Sequence, residues 1–296
     1  MTTIVSIDGK LVPPEGATIS VFDRGFLYGD SVYEVVRTYQ GRPFELGAHL
    51  DRLAHSAARI GLRLPWSREQ LTRAVNDILE ASGHGAQERE SYLRIVVTRG
   101  SGEIGLDPSL AVEPRTILIA RVLEQPAVEA YREGVTVALV GGREGLRRHV
   151  DPSAKTGNYL PNVLAVAEAR ERHAYEAVMV DERDRLTEGS SSNVFLVQFG
   201  IVRTPPLAVG ILEGVTRRTV IEVCREAKIP VEEARLTTAD LHSADEAFLT
   251  SSIREIVPIT RVEDQPVGTG KVGDVTRAVQ AAFRGRTGPP FGEPRF

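Results

Sequence analysis

Asp151-Pro-Ser-Ala-Lys155-Thr-Gly-Asn-Tyr159-Leu-Pro-Asn162 places a lysine in a short polar turn. The strand-like run Val135-Thr-Val-Ala-Leu-Val140 precedes it. After it, Leu160, Val163, Leu164 and Ala167 recur at i, i+3, i+4 and i+7, which predicts a helix to about residue 173 with that stripe inward. A lysine held at the mouth of a packed helix can be desolvated enough to lose its proton and form a Schiff base. Most lysines in such turns are merely solvated, so the weight falls on the rest of the chain.

Working outward toward the C-terminus, Glu176-Ala-Val-Met-Val180 reads as a strand. Arg185-Leu-Thr-Glu188-Gly-Ser-Ser-Ser-Asn193 is a serine-rich bend running into another strand. Gly210-Ile-Leu-Glu-Gly214-Val-Thr216 opens a helix to about Lys228, with Val220, Val223, Cys224 and Ala227 inward. A short helix at Thr237–Leu241 follows, then strand, hydroxyl-rich turn and strand from Glu246 to Pro258, with Thr250-Ser-Ser252-Ile253 as the turn. A last helix runs from Asp274 to Phe283.

Toward the N-terminus the pattern is similar. Two short strands flank Asp8-Gly9, and Thr18 to Phe22 is a further apolar run. Ser31 to Tyr39, Ser91 to Thr98 and Arg115 to Val122 read as strands. Residues 46–61 form an amphipathic helix with Leu50, Leu53, Ala54 and Ala57 inward and Arg52 on another face. Residues 67–82 form a second helix, with Ser67 as its N-cap. The expected organisation is α/β (α+β) in two domains. Residues 1–121 make a small domain, 122–134 a linker, 135–284 a larger domain and 285–296 a loose tail.

Composition narrows the function. In 296 residues with a formal net charge of -4, no basic stripe stands out, so no nucleic-acid partner is expected. No run is long and apolar enough for a membrane span, and the first residues do not resemble a signal peptide. One cysteine, Cys224, excludes an internal disulfide and agrees with a reducing, cytoplasmic setting. The histidines show no convincing metal spacing, so no metal is expected.

Several polar points then stand at element ends. A phosphate is suited by a helix N-terminus with free N–H groups, as at Gly214-Val215-Thr216, and by hydroxyls and an arginine, as at Thr216, Ser252 and Arg52. Lys155 would take an aldehyde, Glu188 would keep a ring nitrogen protonated, and Tyr159 would hydrogen-bond a ring oxygen. Phosphate, aldehyde, pyridine nitrogen and phenol oxygen together describe pyridoxal 5'-phosphate.

The chain here resembles the class IV aminotransferases, the fold-type IV pyridoxal-phosphate enzymes that include D-amino-acid aminotransferases. The resemblance spans about residues 4–283. It rests on Tyr28-Gly-Asp-Ser-Val-Tyr33-Glu, His49-Leu-Asp-Arg52-Leu, Lys155-Thr-Gly-Asn-Tyr159-Leu, Thr187-Glu188-Gly-Ser-Ser-Ser-Asn193, Leu212-Glu-Gly214-Val-Thr216-Arg and Thr250-Ser-Ser252-Ile-Arg-Glu. It implies that Lys155 is the Schiff-base lysine and proton shuttle, and that Glu188 faces the pyridine nitrogen. Arg52, the Val215 and Thr216 amides and Ser252 would hold the phosphate, and Tyr159 would lie near the ring oxygen. Tyr33, Arg37, Tyr92, Arg94 and Ile253 match positions about the substrate. It further implies a site between the two domains, closed by a loop of the partner in a homodimer.

The implied reaction moves an amino group between an amino acid and a 2-oxo acid. Val32-Tyr33-Glu-Val-Val and Glu-Gly-Ser-Ser-Ser-Asn resemble D-amino-acid transaminases, which tilts the reading to D-amino acids. Tyr92-Leu-Arg94, Gly105-Leu-Asp-Pro108 and Gly157-Asn-Tyr159 resemble branched-chain L-amino-acid aminotransferases. The Arg-x-His clamp of the D-enzymes is replaced by Ile104 and Leu106, so the substrate carboxylate needs another partner: Arg24, Arg37, Arg94, Arg147, Arg148 or Arg254. A lyase like 4-amino-4-deoxychorismate lyase and a non-enzymatic binding protein are the rival readings.

Overall fold

In the computed structural model, which describes residues 3–111, 113–141 and 151–291, the chain forms two units. Of the described residues, unit 1 takes those within Met1–Glu124, Ala154–Tyr159 and Pro289–Glu293. Unit 2 takes those within Gln125–Ser153 and Leu160–Gly288.

Unit 1 is a six-stranded antiparallel sheet with two long helices on one face. Its elements are β1 (Ile4–Ile7), β2 (Lys10–Val12), α1 (Arg24–Tyr28), β3 (Ser31–Tyr39), β4 (Arg42–Pro43), α2 (Leu46–Arg59), α3 (Arg68–Ser82), β5 (Ser91–Thr98) and β6 (Arg115–Val122). The strand order is β2-β1-β6-β5-β3-β4. Period-2 alternation assigns the faces. Val32 and Val36 of β3, with Leu93, Ile95 and Val97 of β5, meet Leu50, Leu53 and Ala57 of α2 and Leu71, Val75 and Ile78 of α3. Ser67 caps α3 in a capping box with Gln70, as its position predicts. On α2 the buried set includes His49 and Ser56, while Ala54 is exposed. Residues Thr18–Phe22 form no strand, and Val21 and Phe22 are exposed.

The Lys155 turn belongs to unit 1 although the chain on both sides of it belongs to unit 2. Its backbone is stapled to the start of β3. Tyr33 N donates to Lys155 O at 3.1 Å, Gly157 N donates to Ser31 O at 2.8 Å, and Val32 and Thr156 form a bridge.

Unit 2 is built on a nine-stranded mixed sheet. Its elements are α4 (Val128–Arg132), β7 (Val135–Gly141), α5 (Leu160–Glu171), β8 (Glu176–Val180), β9 (Leu186–Gly189), β10 (Asn193–Gln198), β11 (Ile201–Thr204), α6 (Val215–Glu226), β12 (Val231–Glu233), α7 (Thr238–His242), β13 (Glu246–Ser251), β14 (Glu255–Val262), β15 (Gln265–Pro266) and α8 (Asp274–Thr287). The order is β12-β11-β10-β13-β14-β7-β8-β9, with β15 on β14. Val135, Val137, Val178, Leu196, Leu249 and Ile259 lead one core cluster. On the facing side of β10 and β13, Phe195 and Phe248 stack at 4.9 Å between ring centroids. Val220, Val223 and Cys224 of α6 are buried as expected, but Ala227 caps the helix end and is exposed.

Three further expectations change. The stripe of Leu160, Val163 and Leu164 on α5 is exposed, and Ala165 and Ala169 are the buried residues. They pack on Ala138, Val140, Ala174 and Ala177, so small side chains let the helix lie close to the sheet and the large ones point away. Residues 122–134 are not a plain link, because α4 lies within them and buries Tyr131. The last helix reaches Thr287, and beyond it Phe291 N donates to Glu90 at 2.9 Å while Pro289 O accepts from Gln40 at 3.3 Å. Among the described residues, no helix is long and apolar enough to cross a membrane.

Candidate active site

In unit 1 the site grows from β3. Even positions of this strand face the helices, so Tyr33, Val35 and Arg37 line the opposite face with Tyr92 and Arg94 of β5. Tyr33 pairs across with Val96 and Arg94 with Val35, which sets Arg94 diagonal to Tyr33, within reach of a long side chain. The Arg94 guanidinium lies 4.1 Å from the Tyr33 ring centroid. Lys155 Nζ lies 4.4 Å from the same centroid and 3.1 Å from the Tyr159 hydroxyl. Tyr159 meets Tyr33 edge to face at 5.4 Å. Four sequence candidates thus form one cluster. Burial pushes the Tyr33 phenol well above the ordinary tyrosine range, and the Tyr159 hydroxyl beside it raises it further, so Tyr33 stays a proton donor near neutrality. Among the described residues, no carboxylate pairs with Lys155 or Arg94.

Beneath this cluster lies a triad that the sequence reading passed over. Glu34 is fully buried and accepts from Arg52 Nε and Nη2, each at 2.7 Å, and from His49 Nδ1 at 2.7 Å. Burial would raise the Glu34 carboxyl, but Arg52 and His49 outweigh it and hold the pKa at about 2. Burial dominates at His49 and lowers its pKa, keeping the ring neutral. Arg52 is therefore not a lone helix arginine with a free fork, because two of its nitrogens are engaged by Glu34. The legible signal was His49 and Arg52 at i, i+3 on one helix face, opposite an acid in an apolar strand. Ser56 Oγ accepts from Lys155 N at 3.0 Å, so α2 also fixes the lysine's backbone.

The other substrate candidates separate. Arg37 is buried over the Tyr39 ring at 4.2 Å, and its Nε donates to Thr38 O at 3.4 Å. Tyr92 lies under Arg121 at 4.7 Å. Arg24 is engaged by Asp30 at 3.1 Å and by Gly105 O at 2.7 Å. It thereby ties down the loop on which Ile104 and Leu106 are exposed. Arg147 and Arg148 lie outside the described residues.

In unit 2, Glu188 stands near the end of β9, and its carboxylate accepts from Leu212 N at 3.0 Å. Asn193, at the start of β10, donates to Leu212 O at 3.1 Å. The loop from Leu212 leads to Gly214, the N-cap of α6, and no side chain caps that helix. A Cβ at Gly214 would lie 2.0 Å from Asn193 Oδ1, so any larger residue there would displace the Asn193 side chain from Leu212 O. Val215 and Thr216 therefore begin α6 with backbone N–H groups available to an anion. Ser252 and Ile253 occupy the partly exposed turn between β13 and β14. Arg254, offered above as a carboxylate partner, is instead paired with Glu176.

These donors fit a phosphorylated pyridine aldehyde. Among the described residues, unit 1 offers an amine with no acid partner beside two phenols, and unit 2 offers a helix start with no side-chain cap, a hydroxyl turn and a buried carboxylate. Each unit thus carries its own sheet and its own set of candidate groups. A family model described as amino-transferase class IV matches residues 31–262, and the chain belongs to that family. It is 35% identical over 280 residues to a protein of Methanocaldococcus jannaschii provisionally named a branched-chain-amino-acid aminotransferase, covering 95% of each. It is 33% identical over 281 residues to the D-alanine aminotransferase of Bacillus licheniformis, again covering 95% of each. The solved structure of the Escherichia coli branched-chain amino acid aminotransferase superposes with a TM-score of 0.89 at 29% identity, covering 95% of this chain and 93% of that one. A further branched-chain amino acid aminotransferase, solved with pyridoxamine 5'-phosphate, superposes with the same TM-score of 0.89.

Proposed function

We propose that this class IV aminotransferase moves the amino group of a D-amino acid to a 2-oxo acid with pyridoxal 5'-phosphate as cofactor. The observation that carries the reading is the Lys155–Tyr159–Tyr33–Arg94 cluster. When bound, the cofactor supplies an electron sink for the charge left when the substrate Cα loses its proton. Lys155 Nζ binds it and moves that proton, steered by the Tyr159 hydroxyl 3.1 Å away. Glu188 holds a proton at the pyridine nitrogen. Arg52, the Val215 and Thr216 amides and Ser252 hold the phosphate. Tyr33 and Arg94 receive the substrate, with Arg94 as the carboxylate partner. Tyr92, Arg37 and Ile253 shape the surroundings.

The preference for D-amino acids rests on the Tyr33-Glu-Val-Val and Glu188-Gly-Ser-Ser-Ser-Asn segments. Branched-chain L-amino acids are the second reading, supported by Tyr92-Leu-Arg94 and its partly exposed arginine on β5. A cofactor-loaded protein titrated with single D- and L-amino acids, no acceptor present, decides between them. Loss of the visible cofactor band with D-alanine but not L-leucine is the expected result, and the reverse establishes the second reading. Release of pyruvate without an acceptor would identify a lyase. A homodimer is part of the proposal, supported by the exposed Leu160, Val163 and Leu164 stripe of α5. Sedimentation of wild type against Leu164→Asp tests it, and a monomeric wild type rejects it.

A further inference from the structure

Glu176 opens β8 as an acid in an otherwise apolar strand, and it is almost fully buried. Its Oε1 accepts from Ser190 Oγ at 2.7 Å and from Ser191 N at 2.9 Å, with Ser191 Oγ at 3.4 Å. Its Oε2 is paired with Arg254 Nη1. Arg254 in turn donates Nη2 to Ser191 Oγ at 2.8 Å and Nε to Ser251 Oγ at 3.3 Å. One buried ion pair therefore joins two turns. The first, Gly189–Asn193, follows directly on Glu188. The second, Ser251–Arg254, contains Ser252. The fit is close, since a Cβ at Gly189 would lie 2.1 Å from Ser192 Oγ and 3.2 Å from Glu176 Oε1.

A buried ion pair is weak as a source of stability, because desolvation offsets most of its attraction, and well-packed apolar residues often serve as well. What the pair does here that apolar residues cannot is satisfy hydroxyls and a backbone N–H from both turns at once. Burial would raise the Glu176 carboxyl, yet Arg254 and the serine donors outweigh it and keep it ionised.

We propose that Glu176 and Arg254 are a positioning pair that fixes the Glu188-bearing turn and the Ser252-bearing turn at the spacing one cofactor molecule requires. This rests on the roles given above to Glu188 and Ser252. Neither Glu176 nor Arg254 touches the cofactor in this scheme. Glu176 acts through Ser190 and Ser191, and Arg254 through Ser191 and Ser251.

The test uses Arg254→Lys and Arg254→Met in the full-length protein, with pyridoxal 5'-phosphate as the probe. Lysine keeps the charge beside Glu176 but cannot bond Glu176, Ser191 and Ser251 together. The cofactor's Kd is expected to rise about tenfold in Arg254→Lys and about a hundredfold in Arg254→Met, the scale of a small misplacement in a binding site. The pH midpoint of the bound cofactor's spectrum, which Glu188 governs in this reading, should also move in Arg254→Lys by about half a pH unit to one unit. In a Glu188→Gln background that second shift should vanish, because no carboxylate is left to place. A scaffold role would lower the melting midpoint and leave both readouts alone. Should Arg254→Met fail to fold, Arg254→Lys decides. A folded Arg254→Lys protein with Kd within about twofold of wild type and an unmoved spectral midpoint overturns the inference. A wild type that does not bind the cofactor, or a Glu188→Gln protein with wild-type spectrum and half-reaction rate, rejects the site reading itself and this inference with it. If those controls behave and Arg254→Lys is silent, only the positioning role falls.

Discussion

The two units solve the same problem, holding polar groups still, by different means. In unit 1 the candidate groups are long side chains on the sheet face away from α2 and α3. Lys155, Arg94 and Tyr33 are placed by ring contacts, and each such cation–aromatic contact contributes only about 0.5–2 kcal/mol. In unit 2 they are a carboxylate bonded to Leu212 N, a hydroxyl in a turn tied down by the Glu176–Arg254 pair, and the amides that begin α6. In the proposed scheme, the side chains that move a proton or admit a substrate are those placed by ring contacts, and the groups that hold the cofactor are those set by backbone and turn structure.

Substitutions test that contrast. The largest effect is expected at Lys155. Lys155→Ala should lower turnover by about 10⁴-fold or more and leave the protein folded, since the residue's place in the turn is held mainly through its backbone. Multiple turnover at the wild-type rate would remove Lys155 from the chemistry. Glu188→Gln comes next. The half-reaction should slow by roughly a hundredfold while cofactor affinity changes by less than about fivefold, because the amide keeps a bond to Leu212 N but cannot hold the ring proton. Single-turnover rates equal to wild type would contradict that role.

Arg94→Met should cost about ten- to a hundredfold in the efficiency of the half-reaction with an amino acid, the worth of one charge-assisted bond. A matching amine without a carboxylate should be nearly unaffected. Arg37→Met should weaken both substrates alike, because Arg37 is buried over Tyr39. A reversal of these two patterns would exchange their roles.

The smallest effect is a pH dependence. Glu34 is held at about 2, below its ordinary 4.5, so the unfolded chain binds the proton first. Its contribution is fully present above about 4.5 and is lost as pH falls toward about 2, on the order of a few kcal/mol at most. His49, also lowered, acts with the same sign as pH falls below the ordinary histidine range. Denaturant midpoints from pH 7 to 3 should therefore fall for wild type and fall less steeply for Glu34→Gln. Parallel curves would show that the triad carries no linked protons.

Most of the strand and helix pattern was legible, because alternation in β3 and β5 and the cap at Ser67 are local signals. Lys155 and Glu188 were legible as motif residues. The face of α5 was not. Periodicity reveals which side of a helix is apolar, whereas close approach to a sheet selects small residues, and Ala165 and Ala169 won over the leucines. Glu34 with Arg52 and Glu176 with Arg254 were also missed. Their partners lie 18 and 78 positions apart in the chain, and no local pattern encodes such distances.

The stapling of the Lys155 turn to β3 has a consequence for how the protein becomes active. The turn bonds residues more than a hundred positions earlier: Gly157 N to Ser31 O and Tyr33 N to Lys155 O. During synthesis, every strand of the smaller sheet is made before Lys155. Contacts of such long sequence separation close late and slowly. The sheet can therefore form first as a template with its lysine missing. In the proposed scheme, competence to bind an aldehyde is then acquired at a distinct later moment, when six returning residues, Ala154–Tyr159, dock on a surface already waiting for them.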